Sequence, residues 1–330
     1  MNVRKIAVTG ASGHLGNMVC RMLLDQGYKV NAMYHSDKRS LEDLDLKLIQ
    51  GNVLDTKDLT SLIQGCDIVI NCAAIISIHG DPTGIVHQTN TQGPANVLEV
   101  CKQQNIKKLI HISSVHAVLE LPHETPFDET RSYKQKGSFA YDYSKATGEQ
   151  IILNAIKKNE IEGFVLRPSS IVGPHDYKPS ELGKALLDFY KQKIPALPEG
   201  GYNFIDIRDI SKAVVESIDK GKNGEIYLLS GKYYSLKELA SIIQKVSEKK
   251  MPKRITPFWL LKSVLPFIKL YSKISGGAPL FSIESISALK YGHPNMANTK
   301  AQQEFGLQIR PLEETIADYF EWQKKQKVIQ

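Results

Sequence analysis

Short apolar runs alternate with amphipathic stretches along the first half of the chain. The runs are typical of strands buried on both faces of a parallel sheet. The stretches between them repeat apolar positions every three or four residues, as helices with one buried face do. This alternation predicts an α/β fold with a doubly wound parallel sheet, in which ligands bind at the carboxyl ends of the strands. The predicted strands are 6–8, 28–34, 46–50, 67–71, 109–114 and 163–167, and the predicted helices are 14–26, 56–64, 90–102 and 141–158.

The alternation stops after Pro168, where further prolines interrupt the pattern. We expect two parts: residues 1–172, whose sheet the segment 203–230 rejoins, and a smaller, mainly helical lobe formed mostly by residues 173–330. The elements predicted in this half are strands at the start of 203–218 and over 225–229, and helices over the rest of 203–218 and over 235–245, 258–273, 282–290 and 312–325.

Three glycines, Gly10, Gly13 and Gly16, lie between the first predicted strand and the first predicted helix. Glycine permits a tight turn and a close approach of phosphate to the backbone, and the helix N-terminus offers unpaired N–H groups. An ordinary β–α turn is the alternative. Because strand, turn and helix occur together, we favour a dinucleotide-binding site, which makes residues 1–172 a dinucleotide-binding domain.

Composition and charge narrow the class of protein. The 330 residues are 42% hydrophobic and 23% charged, which is ordinary for a globular protein. The net charge of +7 is spread along the chain without dense basic clusters, so anionic ligands suffice to explain it and no nucleic-acid partner is expected.

Cysteine spacing and the absence of long apolar runs bear on the compartment. No apolar run reaches the ~18 residues of a membrane span, and the chain opens directly on a strand, so we expect neither a transmembrane segment nor a signal peptide. The cysteines lack C-x-x-C spacing and read as free thiols in a reducing compartment. We therefore expect a cytoplasmic protein. The cysteines are Cys20, Cys66, Cys72 and Cys101.

Tyr141 and Lys145 are four residues apart within a predicted helix, so their side chains share one face. A free tyrosine has a pKa near ~10, and we expect the ammonium of Lys145 to lower it, so that Tyr141 can exchange a proton with a carbonyl or an alcohol. Two unrelated surface residues are the alternative. Tyr143 has no lysine four residues on. No cluster of His, Cys and Asp has metal-ligand spacing, so no metal is predicted.

Residues 9–16, TGASGHLG, resemble the T-G-x-x-G-x-x-G motif of the short-chain dehydrogenase/reductase superfamily, in its extended branch. The serines after the fifth predicted strand and the Tyr141–Lys145 pair follow in that superfamily's order. The resemblance implies a Rossmann fold and a catalytic triad of Ser114, Tyr141 and Lys145. In this triad Ser114 orients the substrate oxygen, and Lys145 also holds the cofactor ribose. Ser113 is the alternative to Ser114.

Further segments match the same superfamily. Residues 71–74 (NCAA) resemble its turn beside the adenine ribose, residues 51–53 (GNV) its adenine-binding element, and residues 167–174 (RPSSIVGP) its segment along the nicotinamide. Asn52 replaces the family's acidic residue, although an amide oxygen can accept the same hydrogen bond from adenine. The cofactor contacts that the resemblance implies are Gly10, Ser12, Gly13, His14, Leu15, Gly16, Asn52, Val53, Ala73, Ala74, Tyr141, Lys145, Pro168 and Ser170.

The end of the second strand indicates which dinucleotide binds. NAD-binding folds usually place Asp or Glu there, whereas here Tyr34 is followed by His35, Lys38 and Arg39. Basic groups attract a 2′-phosphate, which an acid would repel. NADP(H) is therefore the favoured cofactor, with contacts from His35 and Arg39, and NAD(H) is the alternative. Asp37 opposes this choice but lies in the loop beyond the strand.

Within the superfamily the chain looks like the dihydroflavonol-reductase-like branch, on residues 128–130 (DET), 144–149 (SKATGE) and 204–209 (FIDIRD). It departs from the plant enzymes at Leu119, where they have a flavonoid-contacting asparagine. It departs from nucleotide-sugar epimerases at Tyr202, where they have a diphosphate-binding arginine.

We therefore predict an NADP(H)-dependent oxidoreductase that reduces a carbonyl, or oxidises a secondary alcohol, of a small hydrophobic substrate. The alternatives are a sugar epimerase or dehydratase with tightly bound NAD(P), and a non-enzymatic redox sensor, which the Tyr–Lys pair disfavours. The expected partner is the small-molecule substrate, and a homodimer is left open.

Residues 251–273 combine bulky apolar residues with spaced lysines. Pro257 is expected to start a helix, and Pro266 to kink or divide it. Three arrangements fit: a helix packed on the core, a lid over an apolar substrate pocket, or a basic amphipathic helix on an anionic membrane, which a short, interrupted helix disfavours. We predict the lid, and hence a hydrophobic or aromatic carbonyl substrate. The apolar stripe of this helix is Phe258, Leu261, Val264, Leu265 and Ile268.

Overall fold

The computed structural model describes residues 4–264 and 282–330. The strands are β1 (Lys5–Thr9), β2 (Lys29–Tyr34), β3 (Lys47–Gln50), β4 (Ile68–Asn71), β5 (Lys108–Ile112), β6 (Gly163–Pro168), β7 (Ser170–Val172), β8 (Leu197–Pro198), β9 (Gly201–Asp206), β10 (Ile226–Leu229), β11 (Lys232–Ser235) and β12 (Ile255–Thr256). The α-helices are α1 (His14–Asp25), α2 (Thr56–Ile63), α3 (Ile85–Gln103), α4 (Ala140–Lys157), α5 (Glu181–Tyr190), α6 (Ile207–Lys220), α7 (Leu236–Ser247), α8 (residues 258–264, as far as it is described), α9 (Ile283–Lys290), α10 (Thr299–Phe305) and α11 (Leu312–Lys325).

Seven strands, all parallel, form the large sheet in the order β10-β6-β5-β4-β1-β2-β3. The strand order reverses between β1 and β4, which is where ligands bind in sheets of this kind. One apolar layer joins the sheet to α1 and α6, and a second joins its other face to α2, α3 and α4. The predicted doubly wound parallel sheet is therefore confirmed.

Most predicted elements agree with the observed ones to about two residues, and the exceptions have local causes. α3 begins at Ile85, five residues ahead of the stretch 90–102 that the prediction places within a helix, because Gly84 turns the chain with a φ of 74°. α5 was not predicted, since it lies in a proline-rich stretch. Its N-cap is Ser180, whose hydroxyl accepts a hydrogen bond from the backbone N–H of Gly183.

The chain beyond Pro168 contributes to all three sheets of the described residues, including the two-stranded pair of β8 and β12. β10 pairs with β6 at the edge of the large sheet, and α6 packs on α1, so this part of the segment 203–230 joins the large sheet and its helix layer. β9 instead lies between β11 and β7 in a separate three-stranded sheet. A second core joins this small sheet to α5, α7 and α11.

α8 begins directly after Pro257, as predicted. The Pro257 carbonyl accepts hydrogen bonds from the backbone N–H groups of Leu260 and Leu261 at 3.1 and 3.2 Å. Trp259 and Val264 are exposed. Leu265, Pro266 and Ile268, on which the predicted stripe and kink depend, lie outside the described residues. The lid therefore stays a prediction.

Two further sequence expectations can be compared with the structure. All four cysteines are free thiols, as predicted. Among the described residues, no helix combines the length and the apolar character that a membrane crossing needs.

An ion pair between α4 and β6 lies wholly inside the protein. The side chains of Arg167 and Glu149 are 1% and 0% exposed. Arg167 donates to the Glu149 carboxylate through Nη2 at 2.6 Å and through Nε at 3.0 and 3.1 Å. The Tyr133 hydroxyl donates to the same carboxylate at 2.8 Å, and Arg167 Nη1 donates to the Glu129 carbonyl at 3.1 Å. Because each charge has several partners, the pair can be buried without leaving either group unsatisfied.

Replacing Glu149 with alanine should therefore destabilise the protein strongly. It would leave Arg167 buried without its counterion, and such a loss typically costs about 3–5 kcal/mol. The free energy of unfolding from urea denaturation measures this. Glu160→Ala is the matched control, because Glu160 pairs with Lys102 on the surface at 2.8 Å, and it should lose far less. Equal losses in the two variants would contradict the assignment.

Candidate active site

The glycine turn after β1 is shaped by close packing against neighbouring backbone. Gly10 has a φ of 61°, and a Cβ there would lie 2.7 Å from the Cα of Ala73. A Cβ on Gly16 would lie 2.2 Å from the Gly10 carbonyl oxygen. Only glycine fits both positions. As a result α1 starts close to the end of β1, and the turn at Ala73 borders it.

The N-terminus of α1 is open to a ligand. Its N-cap is the exposed Gly13, and no side chain caps it. The first N–H groups of the helix therefore have no partner within the helix. Leu15 is buried beneath this turn, and Nε2 of His14 lies 2.9 Å from the carbonyl oxygen of Pro174. An uncapped helix start behind a glycine turn suits the pyrophosphate of a dinucleotide.

The loop after β2 lies against the glycine turn. The Ser40 hydroxyl donates to the carbonyl of Ser12 at 3.0 Å, which ties the two segments together. Tyr34 ends β2, and His35 is exposed just after it. The residues predicted to select the dinucleotide are thus next to the predicted phosphate site.

Charges in this loop are partly compensated. Arg39 Nη2 donates to Asp37 at 2.6 Å, and the guanidinium lowers the pKa of the Asp37 carboxyl to about 2. Asp37 therefore reduces the positive charge that Arg39 presents. Lys178 acts on Asp37 in the same direction from the second half of the chain. Its contribution could not be read from sequence order, because the two residues are far apart in the chain.

Buried polar groups connect the ends of β1, β4 and β5. The Thr9 hydroxyl donates to Asn71 Oδ1 at 2.6 Å and accepts from the backbone N–H of Ala73 at 3.2 Å. Asn71 Nδ2 lies 3.1 Å from Nδ1 of His111. Burial, reinforced by the charge of Lys145, holds the pKa of His111 well below its usual value. His111 is therefore neutral, and this network fixes the turn that includes Ala73.

The predicted adenine contacts are already engaged in local structure. Asn52 Oδ1 accepts a hydrogen bond from the backbone N–H of Leu54 at 3.0 Å. Val53 is buried, and its carbonyl accepts from Asn96 Nδ2 at 3.1 Å. Ala74, by contrast, is exposed beyond β4. The adenine bond assigned to Asn52 would use the second lone pair of its oxygen, and it stays a prediction.

Ser114 and Tyr141 come together where β5 ends and α4 begins. The Ser114 hydroxyl oxygen accepts from the backbone N–H of His116 at 3.1 Å, and the same hydroxyl neighbours the Tyr141 phenol. Burial raises the pKa of Tyr141 to about 12, and the nearby Ser114 hydroxyl acts in the opposite direction. The buried hydroxyl of Ser113 has no partner among the described residues. Of the two serines, Ser114 is the one beside Tyr141.

Lys145 is buried one helical turn further along α4. Its Nζ donates to the carbonyl of Ile112 at 2.9 Å. Burial lowers the pKa of this ammonium to about 8. The prediction that Lys145 lowers the pKa of Tyr141 is wrong for this structure, because burial of the phenol dominates and the ammonium is bonded to Ile112. Tyr141 is a neutral phenol at neutral pH, suited to giving a proton.

A buried charged cluster beside Tyr141 was missed by sequence reasoning. Lys134 Nζ hydrogen-bonds both Glu120 and Asp142. Nδ1 of His116 lies 3.4 Å from Asp142 and 4.0 Å from Glu120, and its ring centroid lies 6.0 Å from that of Tyr141. His116, Glu120 and Asp142 have potential metal-ligand atoms within 4.8 Å of one another. The Lys134 ammonium, however, already supplies a cation to the two carboxylates. The absence of a metal remains a prediction.

A cavity at the junction of the two parts opens beside His116. Its wall is partly apolar, and Tyr202 in it is uncharged, with its hydroxyl donating to the Ser285 carbonyl at 3.3 Å. Leu119 is exposed. Pro168 is buried at the end of β6, and Ser170 follows it at the start of β7. Residues that line the cavity include Val115, His116, Phe127, Ser170, Tyr202 and Met296.

The fold and the family match are those of an NAD(P)-dependent enzyme of the oxidoreductase or epimerase type. The model of the NAD-dependent epimerase/dehydratase family matches residues 6–230, and the chain belongs to this family. The uncapped start of α1 and the glycine turn fit a bound dinucleotide, which the residues of this turn would hold by its pyrophosphate.

Similar proteins span nearly the whole chain. Sterol demethylase protein B of Methylococcus capsulatus is 25% identical over 329 residues, which cover 98% of this chain and 99% of that protein. A Synechocystis protein with the provisional name dihydroflavonol 4-reductase is 29% identical over 326 residues, with 96% and 93% covered. The crystal structure of gox2253 superposes with a TM-score of 0.86 at 25% identity and covers 100% of both chains. These matches confirm the predicted superfamily.

Lys145→Met tests the burial of the ammonium. An unfolded lysine titrates near ~10.4, whereas burial lowers the pKa of folded Lys145 to about 8. Between these values the unfolded state binds more protons, so the wild type should gain about 2 kcal/mol of stability relative to Lys145→Met as pH rises from 7 to 10. Urea denaturation at each pH measures the difference.

The control for this titration is Lys157→Met, on the exposed end of the same helix. It should show no comparable trend with pH. If the difference between wild type and Lys145→Met is the same at every pH, the ammonium is not buried as described.

Proposed function

We propose that this chain is an NADP(H)-dependent oxidoreductase that reduces a carbonyl, or oxidises a secondary alcohol, of a small hydrophobic substrate. The observation that carries the proposal is that Tyr141 lies beside Ser114, one helical turn before the buried Lys145. The nicotinamide of a bound cofactor would supply or accept the hydride.

Tyr141 is the proton donor when the substrate is reduced. With its pKa raised to about 12 by burial, the phenol keeps its proton at neutral pH and can give it to a carbonyl oxygen. The Ser114 hydroxyl holds the same oxygen, and it is itself fixed by the backbone N–H of His116. When Tyr141 loses its proton, the hydrogen bond from Ser114 stabilises the phenolate.

Lys145 is the cationic member of the triad. With its pKa near 8, it is mostly charged at pH 7. Its bond to the Ile112 carbonyl uses one of three N–H donors. We assign the remaining donors to the ribose hydroxyls of the cofactor, so that the same ammonium also lies near the phenolate formed on Tyr141.

The apolar lining beside His116 supports a hydrophobic substrate, and the cavity, now about 20 Å³, would have to widen to admit one. Val115, Phe127 and Met296 form an apolar wall, and His116 and Tyr202 supply the polar groups beside it. The names of the two relatives refer to a sterol and to a dihydroflavonol, both of which have apolar ring systems. We infer a ring-containing or alkyl carbonyl compound.

A sugar epimerase or dehydratase with tightly bound NAD(P) is the alternative function, and the family name includes both. Tyr202 speaks against the epimerase, because it offers no positive charge for a diphosphate at the cavity wall. Purified protein that carries dinucleotide and shows no net consumption of NADPH would favour the alternative.

Tyr141→Phe should reduce turnover at least about 100-fold, because it removes the transferable proton. The dissociation constant of NADPH should stay nearly unchanged. NADPH oxidation is first screened over diverse aldehydes and ketones, and the best substrate is used for the variants. Tyr143→Phe is the control, since Tyr143 stacks on His87 at 5.7 Å and has no lysine partner. If Tyr141→Phe keeps most of its rate, the assignment is wrong.

NADPH should bind more tightly than NADH, because no acid ends β2 and because Arg39 and Lys178 lie near the same loop. Tyr34→Asp should narrow or reverse the preference by repelling the 2′-phosphate. Tyr34→Asn is the matched control, since it changes the size equally without adding charge. Calorimetry with both cofactors measures the effect, and a wild-type preference for NADH would overturn the choice of NADP(H).

A further inference from the structure

Exposed basic residues that are dispersed in the sequence lie on segments that the fold brings together in the second half of the chain. β12 pairs with β8, and Gln192 Nε2 donates to the carbonyl of Lys250 at 3.0 Å. These contacts bring the segment 249–262 against the end of α5. The exposed residues of these neighbouring segments form what we call the lysine–tryptophan patch: Lys191, Lys193, Lys250, Lys253, Arg254, Ile255, Trp259 and Lys262.

Positive charge dominates the lysine–tryptophan patch. Within the described part of the chain, Lys193 is the one basic residue of the patch with a carboxylate in ion-pair range, Asp188 at 3.7 Å. Glu199 and Glu248 are exposed on the same segments. The six basic side chains therefore outnumber the three acidic ones, and such a surplus attracts a polyanion.

Two apolar side chains of the same segments are exposed. Trp259 is 68% exposed and Ile255 is 48% exposed. A tryptophan ring combines an apolar body with one N–H donor, which suits the boundary between lipid headgroups and acyl chains. The other tryptophan, Trp322, instead packs against His175 and Tyr177.

We propose that the lysine–tryptophan patch docks this protein on an anionic lipid bilayer, with the cations at the headgroups and Trp259 and Ile255 inserted between them. Unpaired cations around exposed apolar side chains are what such a surface binds. A nucleic acid would match the charge but would leave Ile255 without a partner. A second copy of the chain would bring like charges together.

The proposed docking surface includes residues outside the amphipathic helix that the sequence analysis considered as a membrane-binding element. A short helix alone binds lipid weakly. Here α8 contributes Trp259 and Lys262, while Lys191 and Lys193 just beyond α5 and the cations of residues 250–254 extend the surface around it. This proposal does not rest on the proposed oxidoreductase function, since no step of it involves the cofactor or the substrate.

Fluorescence of Trp259 tests the insertion directly. The sequence contains two tryptophans, so Trp322→Phe leaves Trp259 as the single emitter. Vesicles of equal parts phosphatidylcholine and phosphatidylglycerol should shift its emission to the blue, and added salt should reverse the shift by screening the charges. Vesicles of phosphatidylcholine alone should have no effect. An unchanged spectrum with the anionic vesicles would overturn the proposal.

Co-sedimentation of the unaltered chain with the same vesicles tests the residues without relying on Trp322→Phe. Each cation near an anionic surface is worth roughly a fivefold change in binding, so Lys253→Glu with Arg254→Glu should weaken binding at least about 25-fold. Trp259→Ser should also weaken it clearly. The controls are Lys157→Glu with Lys158→Glu for charge and Ile76→Ser, at a position that is 59% exposed, for apolar surface.

Binding that is lost in the patch variants and kept in the controls supports the proposal. Binding that survives in the patch variants, or falls equally in the controls, overturns it. A patch variant that changes the sedimentation coefficient of the free protein would show that a second copy occupies the surface, which also overturns the lipid assignment. All positions substituted for co-sedimentation are exposed, so unchanged melting temperatures are expected for these variants.

Discussion

Glu149 and Arg167 form an ion pair in the interior. Their hydrogen bonds fix α4 relative to β6, and both elements carry residues of the candidate active site. Glu149 is on the same helix as Tyr141 and Lys145, and Arg167 lies in the strand that leads to Pro168 and Ser170. Apolar side chains tolerate small slides of a helix over a sheet, but a guanidinium that bonds one carboxylate through two nitrogens does not. The pair thus fixes where α4 stands relative to the ends of β5 and β6.

Burial then decides the protonation of the groups on α4. It raises the pKa of Tyr141 and lowers that of Lys145, so both groups move toward their neutral forms. Spacing along the helix suggested instead that the lysine would promote ionisation of the tyrosine. Desolvation outweighs that attraction. Ionising a buried phenol costs more free energy than the ammonium of Lys145 can offset, because that ammonium is hydrogen-bonded to Ile112. The site is therefore prepared for proton donation.

Charged side chains of the same protein have two different fates. Lys134 lies inside, hydrogen-bonded to both Glu120 and Asp142. Lys253 and Arg254 lie outside without carboxylate partners among the residues described. If both proposals hold, a hydrophobic substrate would reach the enzyme from the bilayer on which the lysine–tryptophan patch rests, so the two inferences are compatible although each stands alone.

The amino-acid sequence by itself determined the alternation of strands and helices, the glycine turn and the order of Ser114, Tyr141 and Lys145. These signals are local, since hydrophobic periodicity and turn chemistry act between residues a few positions apart. The tertiary structure alone decided which serine lies beside Tyr141 and that β9 belongs to the three-stranded sheet. It also decided that His116 and Lys134 share Asp142 and that lysines distant in sequence lie on neighbouring segments. Hydrogen bonding, desolvation and Coulomb attraction depend on distance in space, and chain separation does not reveal that distance.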